Sequence, residues 1–398
     1  MTMKILYLSP GAELGGAEQS LLGLLSCVDR ERFHPVVVLP RPGPLAEDLH
    51  RVGADVRIIS FPKAVLTYGR SSGMLWSLVG FSPAVVGVLP VLFRLARLIH
   101  TERIGLVHSN GIKAHLIGCL LHWMIQVPLV WHMRDILPPG PLQSLFRFLA
   151  RRTPSAIIAN SRAVADCISD GSVGSPRLRV IPNGIDVGRY APTPGFAPLK
   201  QEYGLDPRQP TVGIVGVLAP WKGFEVFLEA AAVLRDIRRD MMFFVVGDEI
   251  YDTRGHSGYR RRLEDKACAL GLEGRVIFAG FRRDIPAVMN SLDVVVHASV
   301  RPEPFGRVIM EAMACGRPVI AMDAGGVREV LGTDRSSGVL IPHTEVTAMS
   351  QAILELIRDP VRRDRMGQAG RDRAVSCFSI ADHARAVEKV YTTILGTI

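Results

Sequence analysis

Short runs of consecutive apolar residues alternate along this chain with longer stretches whose apolar positions recur every three or four residues. The runs predict strands at Lys4–Ser9, Phe33–Leu39, Asp55–Ile59, Leu106–Ser109, Pro128–Met133, Ala156–Asn160 and Arg179–Ile181. The periodic stretches between them, notably Gly16–Cys27, Ile112–Ile125 and Ser161–Ser169, predict helices. Continuous Val/Ile/Leu strands are buried on both faces, so with helices between them they predict a parallel sheet covered on either side. The pattern lapses over residues 183–210, which hold five prolines and four glycines.

It then restarts. Strands are predicted at Thr211–Gly216, Met242–Gly247, Val276–Ala279, Val294–Ala298, Pro318–Met322 and Val339–Ile341. Helices Phe224–Arg235, Gly258–Leu270, Asp284–Ser291, Val308–Ala314 and Val327–Leu331 lie between them, and Thr347–Arg358, Val361–Ser376 and Ile380–Leu395 follow. The fold class is therefore α/β, with two doubly wound Rossmann-like domains at 1–188 and 211–376 and a linker at 189–210. Ligands bind such sheets outside the carboxyl ends of the strands, and pockets favour domain interfaces. The site is expected in a cleft between the domains.

Composition narrows the class. The 398 residues are 48% hydrophobic and 21% charged, enough apolar material for separate cores and too much for a disordered chain. The net charge of +9 is uneven: residues 1–190 carry +8 and the remainder +1. That asymmetry suits a negative partner for the first half, such as an anionic membrane, a phosphorylated substrate or a nucleic acid; solubility alone would also account for it. Six scattered cysteines without a C-x-x-C pair read as reduced thiols of a cytoplasmic protein. The opening MTMKILYLSPGAE reads as a first strand rather than a signal peptide. Residues 71–93 carry no charge, but Gly80, Pro83, Gly87 and Pro90 interrupt them and Arg94 and Arg97 follow. A broken amphipathic helix on the inner membrane face fits this stretch better than a spanning helix; buried core is the other reading.

Two segments carry chemistry. In SPGAELGGAEQS, Gly15 and Gly16 allow a tight turn into a helix whose free N–H groups favour an anion; a packing turn is the plainer alternative. The G-x-G-x-x-G dinucleotide spacing is absent. In RPEPFGRVIMEAMACGRPVIAMDAGGVREV, Glu303 precedes a helix starting near Arg307 and Glu311 lies on its second turn. Two carboxylates flanking a helix start can grip sugar hydroxyls, a phosphate and a ribose in sequence, or can be two solvated acids on a capped core helix.

The run from Glu303 to Glu329 resembles the E-x7-E region of retaining glycosyltransferases of family 4, which have two Rossmann domains in the GT-B arrangement. The resemblance extends over nearly the whole chain: GGAE at 15–18, HMRD at 132–135, PNGID at 182–186, APWKG at 219–223, VVGD at 245–248 and GFRRDIP at 280–286. It implies a nucleotide-sugar donor domain in the second half, an acceptor domain in the first, and a terminal helix at 377–398 crossing back to the first. By the same resemblance Glu303 holds donor-sugar hydroxyls, Glu311 accepts from the ribose, and Lys222 neutralises the diphosphate. Backbone N–H groups of Phe305, Gly306, Arg307 and Gly16 touch the diphosphate. Phe281 and Arg282 meet the base through their backbone, and His132 bonds a sugar hydroxyl.

One departure stands out. The family usually places Arg five positions before the lysine, where this chain has Val217. Losing a cation on the leaving group costs about 2–4 kcal/mol by analogy with an oxyanion donor, unless Arg134 or Arg301 replaces it. No D-x-D pair follows a strand, so no metal or other cofactor is expected. The expected partners are a nucleotide sugar, a lipid-linked or saccharide acceptor and an anionic membrane surface, with no nucleic acid. Hydrolysis or epimerisation of a nucleotide sugar, or nucleotide-sugar binding with impaired transfer, are the rival readings.

Overall fold

A computed structural model describes residues 2–61, 81–169, 177–195, 197–249, 258–342 and 344–396, with backbone alone for 81–86. The chain divides into two compact units: Met1–Gly184 together with Ile380–Ile398, and Ile185–Ser379.

The first unit is built on strands β1 (Met3–Leu8), β2 (Phe33–Leu39), β3 (Asp55–Ile58), β4 (Ile104–Asn110), β5 (Leu129–Met133), β6 (Ala156–Ala159) and β7 (Leu178–Val180). They form one parallel sheet in the order β3-β2-β1-β4-β5-β6-β7. Alternate residues feed two cores. Leu6, Leu8, Val107, Leu129 and Trp131 face one side, while Ile5, Tyr7, Leu106, Val130 and Ile158 face the other. The helix Ile380–Leu395 closes that second side with Ala384, Val387, Val390 and Tyr391, lying against the helix Gly16–Cys27.

Residues 71–80 of the uncharged stretch lie outside the described residues. From Phe81 to Glu102 the chain is one helix that continues through Pro90, so this part is not broken as expected. Val91, Leu92, Leu95 and Ile99 pack into the core, which holds the helix together despite the lost backbone donor; Leu89 and Phe93 face outward. Among the described residues no helix is long and apolar enough to cross a membrane. The apolar pattern does not yield helices Pro44–Arg51 and Pro141–Arg152, each of which starts with proline after a glycine.

The second unit has strands β8 (Thr211–Val215), β9 (Met242–Val246), β10 (Val276–Gly280), β11 (Val294–His297), β12 (Val319–Met322) and β13 (Gly338–Ile341), parallel in the order β10-β9-β8-β11-β12-β13. The stretch 189–210 is more than a bare connection. It contains the helix Pro198–Glu202, and Tyr190 and Leu199 enter this unit's core. In each sheet the strand order reverses once, between β1 and β4 and between β8 and β11, and a crevice opens at such a point beyond the carboxyl ends.

Candidate functional site

At the β8/β11 reversal two loops are pressed together by glycines. The β8 loop makes a single 3-10 turn, Pro220–Lys222, and leaves it through Gly223 at φ 73°. A Cβ on Gly223 would lie 1.9 Å from the Ala298 carbonyl oxygen just beyond β11, so no other residue fits there. The Val300 N–H donates to the Trp221 carbonyl at 2.9 Å, a second tie between the loops. This contact places Lys222 Nζ 2.7 Å from Glu303 Oε2.

Ser299 Oγ donates to the same oxygen at 3.1 Å, and His297 Nε2 stands 3.4 Å away. Among the described residues all these contacts fall on Oε2 and none on Oε1. Burial would raise the Glu303 carboxyl. The Lys222 ammonium and His297 more than offset it and hold the group well below the usual carboxylate range. The backbone of Glu303 is clamped as well: Gly326 N–H donates to its carbonyl at 2.7 Å, and Gly325 at φ 69° approaches too closely for a side chain. The paired glycines of the AGGVRE tail therefore fix the position of Glu303.

Gly306, at φ 97°, turns the chain into the helix Arg307–Ala314. The Phe305 ring is buried edge-on against Phe378, so only its backbone is available to a ligand. Glu311 is nearly buried. Arg307 Nε donates to its Oε1 at 2.7 Å and Tyr190 OH at 3.4 Å. The Arg307 side chain thus orients Glu311 in addition to the backbone role expected of it. Arg282 is clamped by Asp284 through two bonds, at 2.9 and 2.8 Å, and by Glu202 through two more at the same distances. The Phe281 ring beside it is exposed.

Lys222, Glu303, Phe305, Gly306, Arg307, Glu311, Phe281 and Arg282 all belong to the second unit; Gly16 and His132 belong to the first. Gly16 opens the first helix, with open space where a Cβ would stand. His132, on β5, is fully buried. Its Nδ1 lies 3.2 Å from His108 Nε2 and 3.3 Å from the Arg134 guanidinium, while its Nε2 has no hydrogen-bond partner. Burial first, then the Arg134 charge, push its pKa well below the ordinary value, so the ring is neutral.

Arg134 and Arg301 were the two candidates to replace the cation missing at position 217. Arg134 is 6% exposed, with its guanidinium directed to Asn110, Asn183 and His132 inside the first unit. Arg301 stands over the Trp221 ring at 5.8 Å. Sequence reasoning also missed His297 and Ser299; the H-A-S at the end of β11, four to six residues before Glu303, was the available signal. No group of three His, Cys, Asp or Glu side chains among the described residues is placed to hold a metal ion.

Comparison with known proteins bears on the family and the fold. The profile of the family "Glycosyl transferases group 1" matches residues 196–373, and that of the "Glycosyl transferase 4-like domain" matches 15–184. The chain is 30% identical over 290 residues to the lipopolysaccharide core biosynthesis mannosyltransferase LpsB of Rhizobium meliloti, covering 67% of this chain and 80% of that protein. It is 26% identical over 401 residues to a GDP-mannose-dependent alpha-mannosyltransferase of Mycobacterium tuberculosis, covering 96% and 95%. A crystal structure of Anabaena Alr3699/HepE in complex with UDP and glucose superimposes with a TM-score of 0.82 at 28% identity, covering 98% and 99% of the two chains. With both halves of the sequence matched and the fold shared end to end, this chain belongs to the family 4 glycosyltransferases of the GT-B fold.

Proposed function

We propose that this protein transfers a sugar from a nucleoside-diphosphate donor to a membrane-proximal saccharide or lipid-linked acceptor, with retention of the anomeric configuration. The observation that carries this reading is the ionised Glu303, held by Lys222 at the strand-order reversal beside the start of the helix Arg307–Ala314. Glu303 Oε1 accepts from hydroxyls of the donor sugar. Lys222 and the helix N–H groups meet the diphosphate charge as the glycosidic C–O bond breaks, and Glu311 accepts from the ribose. In a front-face displacement the departing phosphate oxygen takes the acceptor's hydroxyl proton, so no separate side-chain base is needed. Lys222 and these N–H groups take the place of a metal ion, and activity should survive chelation.

Two features support the acceptor class. LpsB is named for lipopolysaccharide core biosynthesis. The first unit also exposes Leu89, Phe93, Trp123 and Met124 on helices that carry Arg94 and Arg97, which suits a peripheral contact with an anionic membrane face.

The test begins with thermal unfolding in excess UDP, GDP, ADP, CDP or dTDP. A nucleotide at about 100 times its Kd adds roughly 2.7 kcal/mol. The sugars of whichever nucleotide stabilises the protein are then offered with saccharide acceptors, and proton NMR reads the anomeric coupling of the product. An axial-to-axial outcome supports retention. Inversion would overturn it, and free sugar in the absence of acceptor would make the protein a hydrolase.

A further inference from the structure

The loops after β8 and β11, residues 216–223 and 298–306, carry three charged side chains: Lys222, Arg301 and Glu303. The Lys222 ammonium and the Glu303 carboxylate are 2.7 Å apart, so their charges cancel at short range. Arg301 is the cation left over. It is exposed, and among the described residues no carboxylate pairs with it. Its guanidinium instead stands over the Trp221 ring, 5.8 Å from the centroid. An aromatic face holds a guanidinium in place without cancelling its charge. The Val300 N–H, donating to the Trp221 carbonyl at 2.9 Å, ties the residue before Arg301 to the residue before Lys222.

A nucleotide-sugar donor brings one negative charge on each phosphate, and breaking its glycosidic bond adds another on the leaving oxygen. The charge already present in these loops does not match that load. Lys222 is balanced by Glu303, and the start of the helix Arg307–Ala314 offers roughly half an elementary charge. Val217, two residues beyond the end of β8, contributes none. The arginines that follow are committed elsewhere, Arg307 to Glu311 at 2.7 Å and Arg328 to Asp323.

We infer that Arg301 is a catalytic residue that brings to the departing diphosphate the positive charge absent at Val217, supplied from the β11 loop instead of the β8 loop. This rests on the proposed transferase reading. In that step the bond from the anomeric carbon to the phosphate oxygen breaks and its electron pair stays on the oxygen. The acceptor oxygen bonds to the carbon, and its proton passes to the departing phosphate. Arg301 gives and takes no proton; it meets the charge on the phosphate oxygens through its N–H donors.

Binding is measured first, because it needs neither sugar nor acceptor. UDP, GDP, ADP, CDP and dTDP, and the corresponding monophosphates, are titrated calorimetrically into wild-type protein and Arg301→Gln. For whichever base binds, Arg301→Gln should weaken the diphosphate about tenfold and the monophosphate less than about threefold. The thermal midpoint of the free protein should not move, since Arg301 is exposed. Equal losses for the two nucleotides, or none, would overturn the assignment while leaving the transferase reading intact. Wild-type protein that binds none of the diphosphates would overturn that reading, and this inference with it.

Kinetics then test the replacement, using the nucleotide sugar selected by the nucleotide series. Arg301→Gln should lower kcat about 100-fold. Adding Val217→Arg to that variant should recover about tenfold or more, whereas Val217→Arg alone should change kcat less than about threefold. The same factor in both backgrounds would mean that the two positions act independently, and the replacement would fall. Trp221→Leu removes the ring and keeps the charge, so it should cost less than about tenfold in kcat. A loss as large as that of Arg301→Gln would reduce Arg301 to a support for the ring. Should Val217→Arg fail to fold, the comparison of diphosphate with monophosphate decides by itself.

Discussion

Acidification from pH 7.5 to 5.5 should strip the first unit of much of its stability, and the structure sets the size of the loss. Four of its histidines are buried and neutral. Burial holds His115 at about 3 and His383 at about 4, and with the Arg134 charge it holds His108 and His132 well below the ordinary value. In the unfolded chain each titrates near 6.5. The unfolded state therefore takes up protons that the folded state declines. The stability is fully present above about pH 6.5 and falls as the pH drops toward the folded values. At pH 5.5 each site contributes a loss of about 1.4 kcal/mol, so four give roughly 5.5 kcal/mol, comparable with the whole stability of an ordinary domain.

Carboxylates do not blur this window. Those with depressed values, such as Glu303 and Asp55, begin to act only below their unfolded values near 4. The assay is urea unfolding at pH 7.5, 6.5 and 5.5 in a Trp221→Phe background. The three tryptophans that remain, Trp76, Trp123 and Trp131, all belong to the first unit, so fluorescence then follows that unit; Trp131 lies in its core stacked on His115 with ring centroids 5.1 Å apart. His383→Gln should flatten the pH dependence by about a quarter. A total loss below about 1.4 kcal/mol, the share of a single site, would refute the reasoning.

Three further outcomes are expected. Glu303→Ala should lower kcat about 100-fold or more while changing nucleotide affinity less than about threefold, measured by steady-state kinetics and calorimetric titration; equal losses would remove Glu303 as a sugar-gripping group. Gly247→Ala should destabilise the second unit by about 2 kcal/mol or more, because φ there is 140° and the new Cβ would lie 1.8 Å from the Gly216 carbonyl oxygen; thermal unfolding reads it. Tyr190→Phe removes a 3.4 Å bond to Glu311 that Arg307 also holds, so it should cost less than about 1 kcal/mol and raise the donor KM only slightly.

Strand positions were legible in the sequence because a fully buried parallel strand has one signature, a short unbroken apolar run. Helices Gly16–Cys27, Ile112–Ile125, Phe224–Arg235 and Ile380–Leu395 were equally plain, since an apolar stripe recurs through each. Pro141–Arg152 was not, because it buries only Phe146, Leu149 and Ala150 and leaves the apolar Leu145 and Phe148 exposed, so its apolar positions do not mark a single inward stripe. The uncharged run before Arg94 pointed to a membrane surface. From Val91 onward the tertiary packing decides instead, and the run forms a core-facing stripe.

At the site, Glu303 and Glu311 stood out through their spacing, and Lys222 only through a family motif. The loop contact that joins Lys222 to Glu303 depends on Gly223 meeting Ala298, which no local pattern encodes. The buried contact between Tyr7 and Tyr391 was still less visible. They are 384 positions apart, and only the sheet order and the last helix bring them together.

That last helix has a consequence for how the protein is made. The second unit is one uninterrupted segment, Ile185–Ser379, whereas the first is closed only by residues that follow it. On a ribosome adding about 5–20 residues per second, the sheet face bearing Ile5, Tyr7, Leu106, Val130 and Ile158 waits about 10–40 s for its cover while the intervening segment is translated. The half encoded second is thus the first able to finish folding, and the nascent amino-terminal half is the natural client for a chaperone that shields apolar surface.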